Sequence, residues 1–265
     1  MPTLNDGGFL SAEIAAWVDV HRNENEKWFS LSEKSNLLGQ RVLLELKFDN
    51  NDFEKILLAL WFSRALSHFQ AVVLLMERGM LFEAQIILRT LVEVSFSLIA
   101  LAEHPGIEQE FLIDDKVQQL KSLNTYMNLP KRLRSRSTKQ NKKIKDLIEK
   151  LKHEISKENH KELKTEYIAQ KANMSEYYNS IYANLCSTVH SRIRDLESHL
   201  LLNENEEIEQ LNWGPDISGL ESVMVAANEL LILCTKRILE KFDLSKFAEE
   251  FNVCCVEFDN IPSKS

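Results

Sequence analysis

Apolar residues recur every three to four positions through most of the chain, the period that lays one face of an α-helix on a core. Ser11–Leu31 and Ser32–Phe48 predict two amphipathic helices, with Ser32 as the cap of the second. Asn51 or Asp52 caps a longer helix running to Arg78, and Gly79 supplies the left-handed residue on which such a helix ends. Leu81–Glu103 is apolar around most of its circumference and stops at His104-Pro105. A helix of that kind belongs at the centre of a bundle, so it is expected to form an antiparallel hairpin with Phe53–Arg78.

Gly106–Asn128 reads as a further helix ended by Pro130, Ser175–Leu202 as one long helix, Ser218–Phe242 as a last core helix and Leu244–Phe251 as a short terminal one. An acidic loop, Asn203–Glu209, and the turn Trp213-Gly214-Pro215 separate the last long helices. No alternating stretch predicts a strand and no period predicts internal repeats. The expected fold is an all-α, up-and-down multi-helix bundle with a central apolar hairpin. Residues 1–50 are N-terminal helices packing on the bundle, 51–251 the bundle core with a basic mobile insertion at 131–166, and 252–265 a tail.

Composition supports that reading. Gly 7 and Pro 5 are scarce among 265 residues, whereas all-β folds and phosphate-cradling loops need both at their turns. An apolar share of 44% and a charged share of 27% exclude general disorder. The formal charge of -8 repels nucleic acid overall, so any such contact needs a local basic patch. Cys186, Cys234, Cys254 and Cys255 show no Cys-x-x-Cys spacing and read as reduced thiols of a cytoplasmic protein. The first ten residues lack a basic start and an apolar run, and Ile86–Leu101 is broken by Arg89 and Glu93, so neither a signal peptide nor a membrane span is expected.

The candidate chemistry begins with a polar stripe on the most apolar helix. Gln85, Arg89, Glu93 and Ser97 follow one another every fourth residue and share one face. Arg and Glu inside a core helix are costly unless paired or hydrated. The stripe is therefore either an internal tie or the wall of a polar cleft, with Arg89 as an anion clamp and Glu93 as an acid or base. On Ser175–Leu202, Tyr182, Cys186 and His190 follow at the same spacing along the edge of the core face. A half-buried His190 suits acid/base work or a structural hydrogen bond, and Cys186 one turn before it admits a thiolate reading that no oxyanion hole supports. Between Lys131 and Lys145 stand Arg132, Arg134, Arg136, Lys139, Lys142 and Lys143, a solvated loop or the one docking place for an anionic polymer such as RNA. It feeds a solvent-facing helix on which Leu147, Leu151 and Ile155 recur at helical spacing. No Glu-x-x-His pair recurs and His153-Glu154 lacks a second histidine, so neither metal nor cofactor is expected.

Two resemblances rest on these residues. Arg194 and His199 form an Arg-x4-His string, with Arg192 seven residues before His199. This is similar to the Arg-x4–6-His motif of HEPN-type ribonucleases, and that resemblance implies a dimeric helical bundle cutting RNA without metal, as toxins and phage-defence effectors do. Solvated surface charge is the competing reading. Arg78-Gly79, Arg89-Thr90-Leu91-Val92-Glu93, Asp114-Asp115 and Tyr182 with Ser187-Thr188-Val189-His190 resemble a bacterial family of unknown function (DUF family 5677). That resemblance, covering Asp52 to Leu202, implies that Arg89, Glu93, Tyr182, Ser187 and His190 converge in one pocket. It brings no reaction with it. The expectations are thus an RNA-directed, metal-independent nuclease or a non-catalytic helical sensor or partner-binding module, with a homodimer plausible for either.

Overall fold

A computed structural model describes residues 7–134, 137–157, 162–189, 196–197, 199 and 200–261. Eleven α-helices and one two-stranded hairpin are found among the described residues. The all-α expectation holds, and the central hairpin is α3 (Phe53–Glu77) against α4 (Leu81–Glu103). Asp52 opens α3 by accepting from the Lys55 amide at 3.0 Å, which satisfies one of the helix's orphan N–H groups. Gly79 closes it at φ +67°, with the Gly79 amide on Met76 O and the Met80 amide on Leu75 O. That pair of bonds is a Schellman ending. Phe62 and Phe69 of α3 and Leu88, Leu91, Phe96 and Leu98 of α4 are almost fully buried.

Two helices flank this hairpin. α2 (Glu26–Glu45) lies on α3, and α10 (Leu220–Lys241) packs across α2, α3 and α4. The buried Asn228 of α10 donates to Ser32 Oγ at 2.9 Å and so ties α10 to α2. Ser32 is not a cap: it sits inside α2 and donates back to Trp28 O. The break between the first two helices falls at Asn25, because the Asn25 side chain donates to His21 O and ends α1 (Ile14–Glu24) there. α1 docks through the buried His21, whose Nε2 donates to Met76 O at 3.2 Å.

α5 (Glu108–Asn128) and α6 (Thr138–Ile155) form a second hairpin packed chiefly on itself, through the buried Ile148 and Leu151 and the Lys116–Glu154 ion pair. The helix expected after the basic loop is thus α6, which begins earlier, at Thr138. α7 (Thr165–Lys171) returns to α4, where His104 Nε2 donates to Lys171 O at 2.8 Å.

Three sequence expectations change. Of the expected long helix Ser175–Leu202, residues 175–189 are helical without a break, as α8 (Ser175–Tyr177), a π-helical segment Tyr178–Tyr182 and α9 (Ala183–Val189). Leu200–Leu202 is strand β1, paired antiparallel with β2 (Ile208–Leu211) across part of the acidic loop. Asn203 makes the turn by accepting from the amides of Asn205 and Glu207, and a short apolar run such as Leu-Leu-Leu has no period with which to tell strand from helix. The tail is largely helix: α11 (Ala248–Asp259) lies along α2 through Lys34–Glu257 and Arg41–Glu250 pairs. α3 and α4 are long and apolar enough to cross a bilayer, a test that buried core helices also pass.

Candidate functional site: a polar seam and the groove beside it

The stripe on α4 faces α9 and the π segment. Arg89 Nη2 lies 2.9 Å from Glu93 Oε1 and donates to Tyr182 Oη at 3.0 Å. Tyr182 Oη in turn donates to Glu93 Oε1 at 2.7 Å, closing a three-membered ring of hydrogen bonds. Arg89 Nε points to Cys186 Sγ at 3.4 Å, and the guanidinium carbon stands 5.2 Å from the centre of the Tyr182 ring. One turn earlier, Thr188 donates to Gln85 Oε1 at 3.4 Å. Ser97 turns back to Glu93 O of its own helix and leaves the seam.

The electrostatics follow from these contacts. Burial opposes the Arg89 charge, but Cys186, Glu93 and Tyr182 outweigh it and hold its pKa above the usual arginine value. Burial, then the bond to Glu93, pushes the Tyr182 phenol up to about 12. Arg89 thus stays a cation and Tyr182 a neutral donor, and the cation spends its donors on its own chain. The π segment is what aims Tyr182. A π turn changes the angular phase of the side chains that follow, and such segments recur at functional sites. Tyr178 stacks on Tyr182 at 5.1 Å and Phe96 packs on it at 6.1 Å, so the phenol cannot swing away freely.

Beside the seam runs a groove of about 930 Å³ between α4, α9 and the start of α10. Leu81, Leu88, Leu185 and Val223 form apolar walls, while Gln85, Asn184, Thr188, Asp216 and Ser222 bring hydrogen-bonding groups. Gln85 and Thr188 belong to both seam and groove. Its volume is in the range of small-molecule sites. Among the described residues no set of three or more His, Cys, Asp or Glu side chains could hold a metal ion.

The structure brings Arg89, Glu93 and Tyr182 together as the sequence resemblance implied, with Ser187 on the groove wall. His190, Arg192 and Arg194 lie outside the described residues. His199 lies away from the seam, against the start of α4: its ring meets that of Phe82 at 4.3 Å, tilted by 37°, and Nδ1 donates to Asn212 O at 3.2 Å. In the basic stretch Arg132, Lys139, Lys142, Lys143 and Lys145 are exposed. Arg134, in contrast, is half-buried and spends Nη1 on Met127 O at the end of α5. Arg136 and the Lys131 side chain lie outside the described residues. Sequence reasoning missed Cys186 as the sulfur partner of Arg89 and missed α10 as a wall of the groove. The fourfold spacing of Gln85, Arg89 and Glu93 opposite Tyr182 and Cys186 carried the first signal; no local signal carried the second.

Residues 55–208, over half of the chain, match the Family of unknown function (DUF5677). No curated protein and no solved structure matches the chain.

Proposed function

The chain belongs to DUF5677, and we propose that it is a helical ligand-binding module whose groove between α4, α9 and α10 holds a small molecule. The observation that carries this reading is the groove itself, at about 930 Å³ and lined by both leucines and amide and hydroxyl groups. Apolar walls with a few fixed polar groups are what bind and orient a small ligand. The Arg89–Glu93–Tyr182 ring then acts as the rigid back of one wall. It positions Gln85 and Thr188 and is not an anion clamp, since Arg89 is already engaged on three sides.

A thermal-shift screen of neutral and charged metabolites against wild type and Asn184→Trp tests this. The variant places bulk in the groove from an exposed position. A ligand present at a hundred times its Kd adds about 2.7 kcal/mol to stability, so a rise in Tm is expected that Asn184→Trp abolishes. A rise of equal size in both proteins would move the site elsewhere and end this assignment.

One observation favours a second reading, the RNA-directed, metal-independent nuclease resembling HEPN proteins. The bond from His199 Nδ1 to a carbonyl requires hydrogen on Nδ1, so in the neutral ring Nε2 carries the lone pair of a general base. The exposed lysines of α6 would guide the RNA. It stands second because His190, Arg192 and Arg194 lie outside the described residues and Arg89, its other phosphate-binding candidate, is engaged on its own chain. Total RNA and tRNA incubated with EDTA, beside His190→Ala and His199→Ala, test it: cleavage lost in one variant supports it, and RNA left intact by folded protein removes it.

A further inference from the structure

Four ring side chains from separate stretches of the chain border one small pocket next to the groove. Phe9 comes from the short turn Gly8–Leu10, Phe82 from the first turn of α4, and His199 and Trp213 from the two ends of the β-hairpin. The pocket holds about 190 Å³ and continues past Trp213 into a second of about 280 Å³. Its frame is fixed by the backbone. The Asn212 amide donates to His199 O at 2.7 Å and His199 Nδ1 to Asn212 O at 3.2 Å, which closes the hairpin beside Trp213. The Asp216 amide donates to Gly79 O at 2.8 Å and ties the turn that follows to the α3–α4 corner. Phe82 and His199 pack on each other at 4.3 Å. Trp213 is 65% exposed and meets no other ring among the described residues.

The charge of the lining narrows what such a pocket can hold. Glu83 and Asp216 line it, and among the described residues no lysine or arginine does. A phosphate or carboxylate ligand would meet like charge and no cationic donor fork. A flat heterocycle is poorly served too, because Phe82 and His199 are in contact and leave no slot between them. The faces of aromatic rings carry negative potential and attract a cation, and nearby carboxylates add to that attraction. We propose that this pocket binds a small organic cation, an alkylated ammonium group, with Phe9, Phe82 and Trp213 as its ring walls and Glu83 and Asp216 as its counter-charges. His199 backs Phe82. Alkylation suits the site, because a bare ammonium seeks acceptors for three N–H groups, whereas an alkylated one offers apolar surface to the rings. The proposal rests on neither reading of the function above, although the pocket shares Phe82 and Asp216 with the groove.

Isothermal titration calorimetry of the full chain with choline chloride, carried to about 50 mM so as to reach millimolar affinities, tests the proposal. Dimethylbutanol, the uncharged carbon isostere of choline, and sodium chloride are titrated beside it. Choline is expected to bind at least about tenfold more tightly than the alcohol, and about tenfold more weakly in Trp213→Ser than in wild type. Trp213 is a surface position, and circular dichroism checks that its variant is folded. Glu83→Gln, a change of equal shape at an exposed position, repeats the test with an expected severalfold loss. Failure of wild type to bind choline overturns the proposal, as does equal binding of the alcohol. So does an affinity for choline that is unchanged in both folded variants.

Discussion

Arg89 illustrates what one residue does here. It joins α4 to the π segment and α9 through Glu93, Tyr182 and Cys186, so Arg89→Ala strands a carboxylate and a phenol in a half-buried place. A fully buried broken pair costs about 3–5 kcal/mol. With side chains 23% and 34% exposed the expected loss is smaller, about 1–3 kcal/mol, read as a lower urea midpoint. Arg89→Lys recovers only part of it, because one ammonium cannot reach three partners in a fixed fork. His21 makes a second residue-scale prediction. Burial lowers its pKa, against the raising effects of Met76 O and Glu24, and burial then Arg64 lower that of His68. A histidine with a depressed folded pKa takes up a proton more readily when unfolded. Stability is therefore full above the unfolded value of about 6.5 and falls as pH drops below it. Glu229, raised by burial, acts in the opposite sense nearer the carboxylate range. Thermal melts should be level from pH 7 to 8 and shift down toward about pH 5.5; a Tm that climbs on acidification would contradict this.

At the scale of elements, the α3–α4 corner is a tight joint. Gly79 lies at φ +67°, and a Cβ there would stand 2.6 Å from Pro215 Cβ and 2.9 Å from the Trp17 ring. Gly79→Ala therefore meets both backbone strain and collision. A loss of about 2–4 kcal/mol is expected from the two together, measured by chemical denaturation. The corner also shows how far the sequence could be read. Arg78-Gly79 marked the helix end correctly because the left-handed position is a local demand of the backbone. The apolar girth of Leu81–Glu103 likewise announced its central place. Leu200–Leu202 and the π segment were not legible. A three-residue strand has no period, and a π turn arises where tertiary contacts such as Tyr182 on Glu93 and Phe96 override the local α preference. The break at Asn25 was missed because a side-chain amide closing a helix looks, in sequence, like any polar residue on an exposed face.

Across the whole molecule, the bundle separates a rigid part from two outward-facing ones. α2, α3, α4 and α10 share the buried core. The stretch from 131 to 152, which runs into α6, is strongly basic, with ten basic against two acidic residues in a chain of net charge -8. Any polyanion contact should centre there and weaken steeply with salt. Replacing Lys139, Lys142, Lys143 and Lys145 by Glu should abolish retention on heparin at low salt without changing the melting temperature. Loss of stability in that variant would mean these exposed lysines serve the fold. Part of the candidate site was readable in advance because Arg89 and Glu93 offend the apolar pattern of their helix, while Tyr182, on the core face of its own, joined them only through the family resemblance. The groove was not, since α10 reaches α4 only through the tertiary fold.

The π segment has a consequence for the chain as a string of residues. Each residue of an α-helix turns the next side chain by about 100°. Removing one residue between Tyr178 and Tyr182 would let the helix close as ordinary α and would cost little locally. A π turn takes in one extra residue for about the same advance, so the side chains after the cut would keep their phase. One residue removed from α9 before Cys186 has no such slack and would turn Cys186 away from Arg89, and Thr188 from Gln85. The groove's floor and the seam's partners are thus set by a count of residues as much as by their identities.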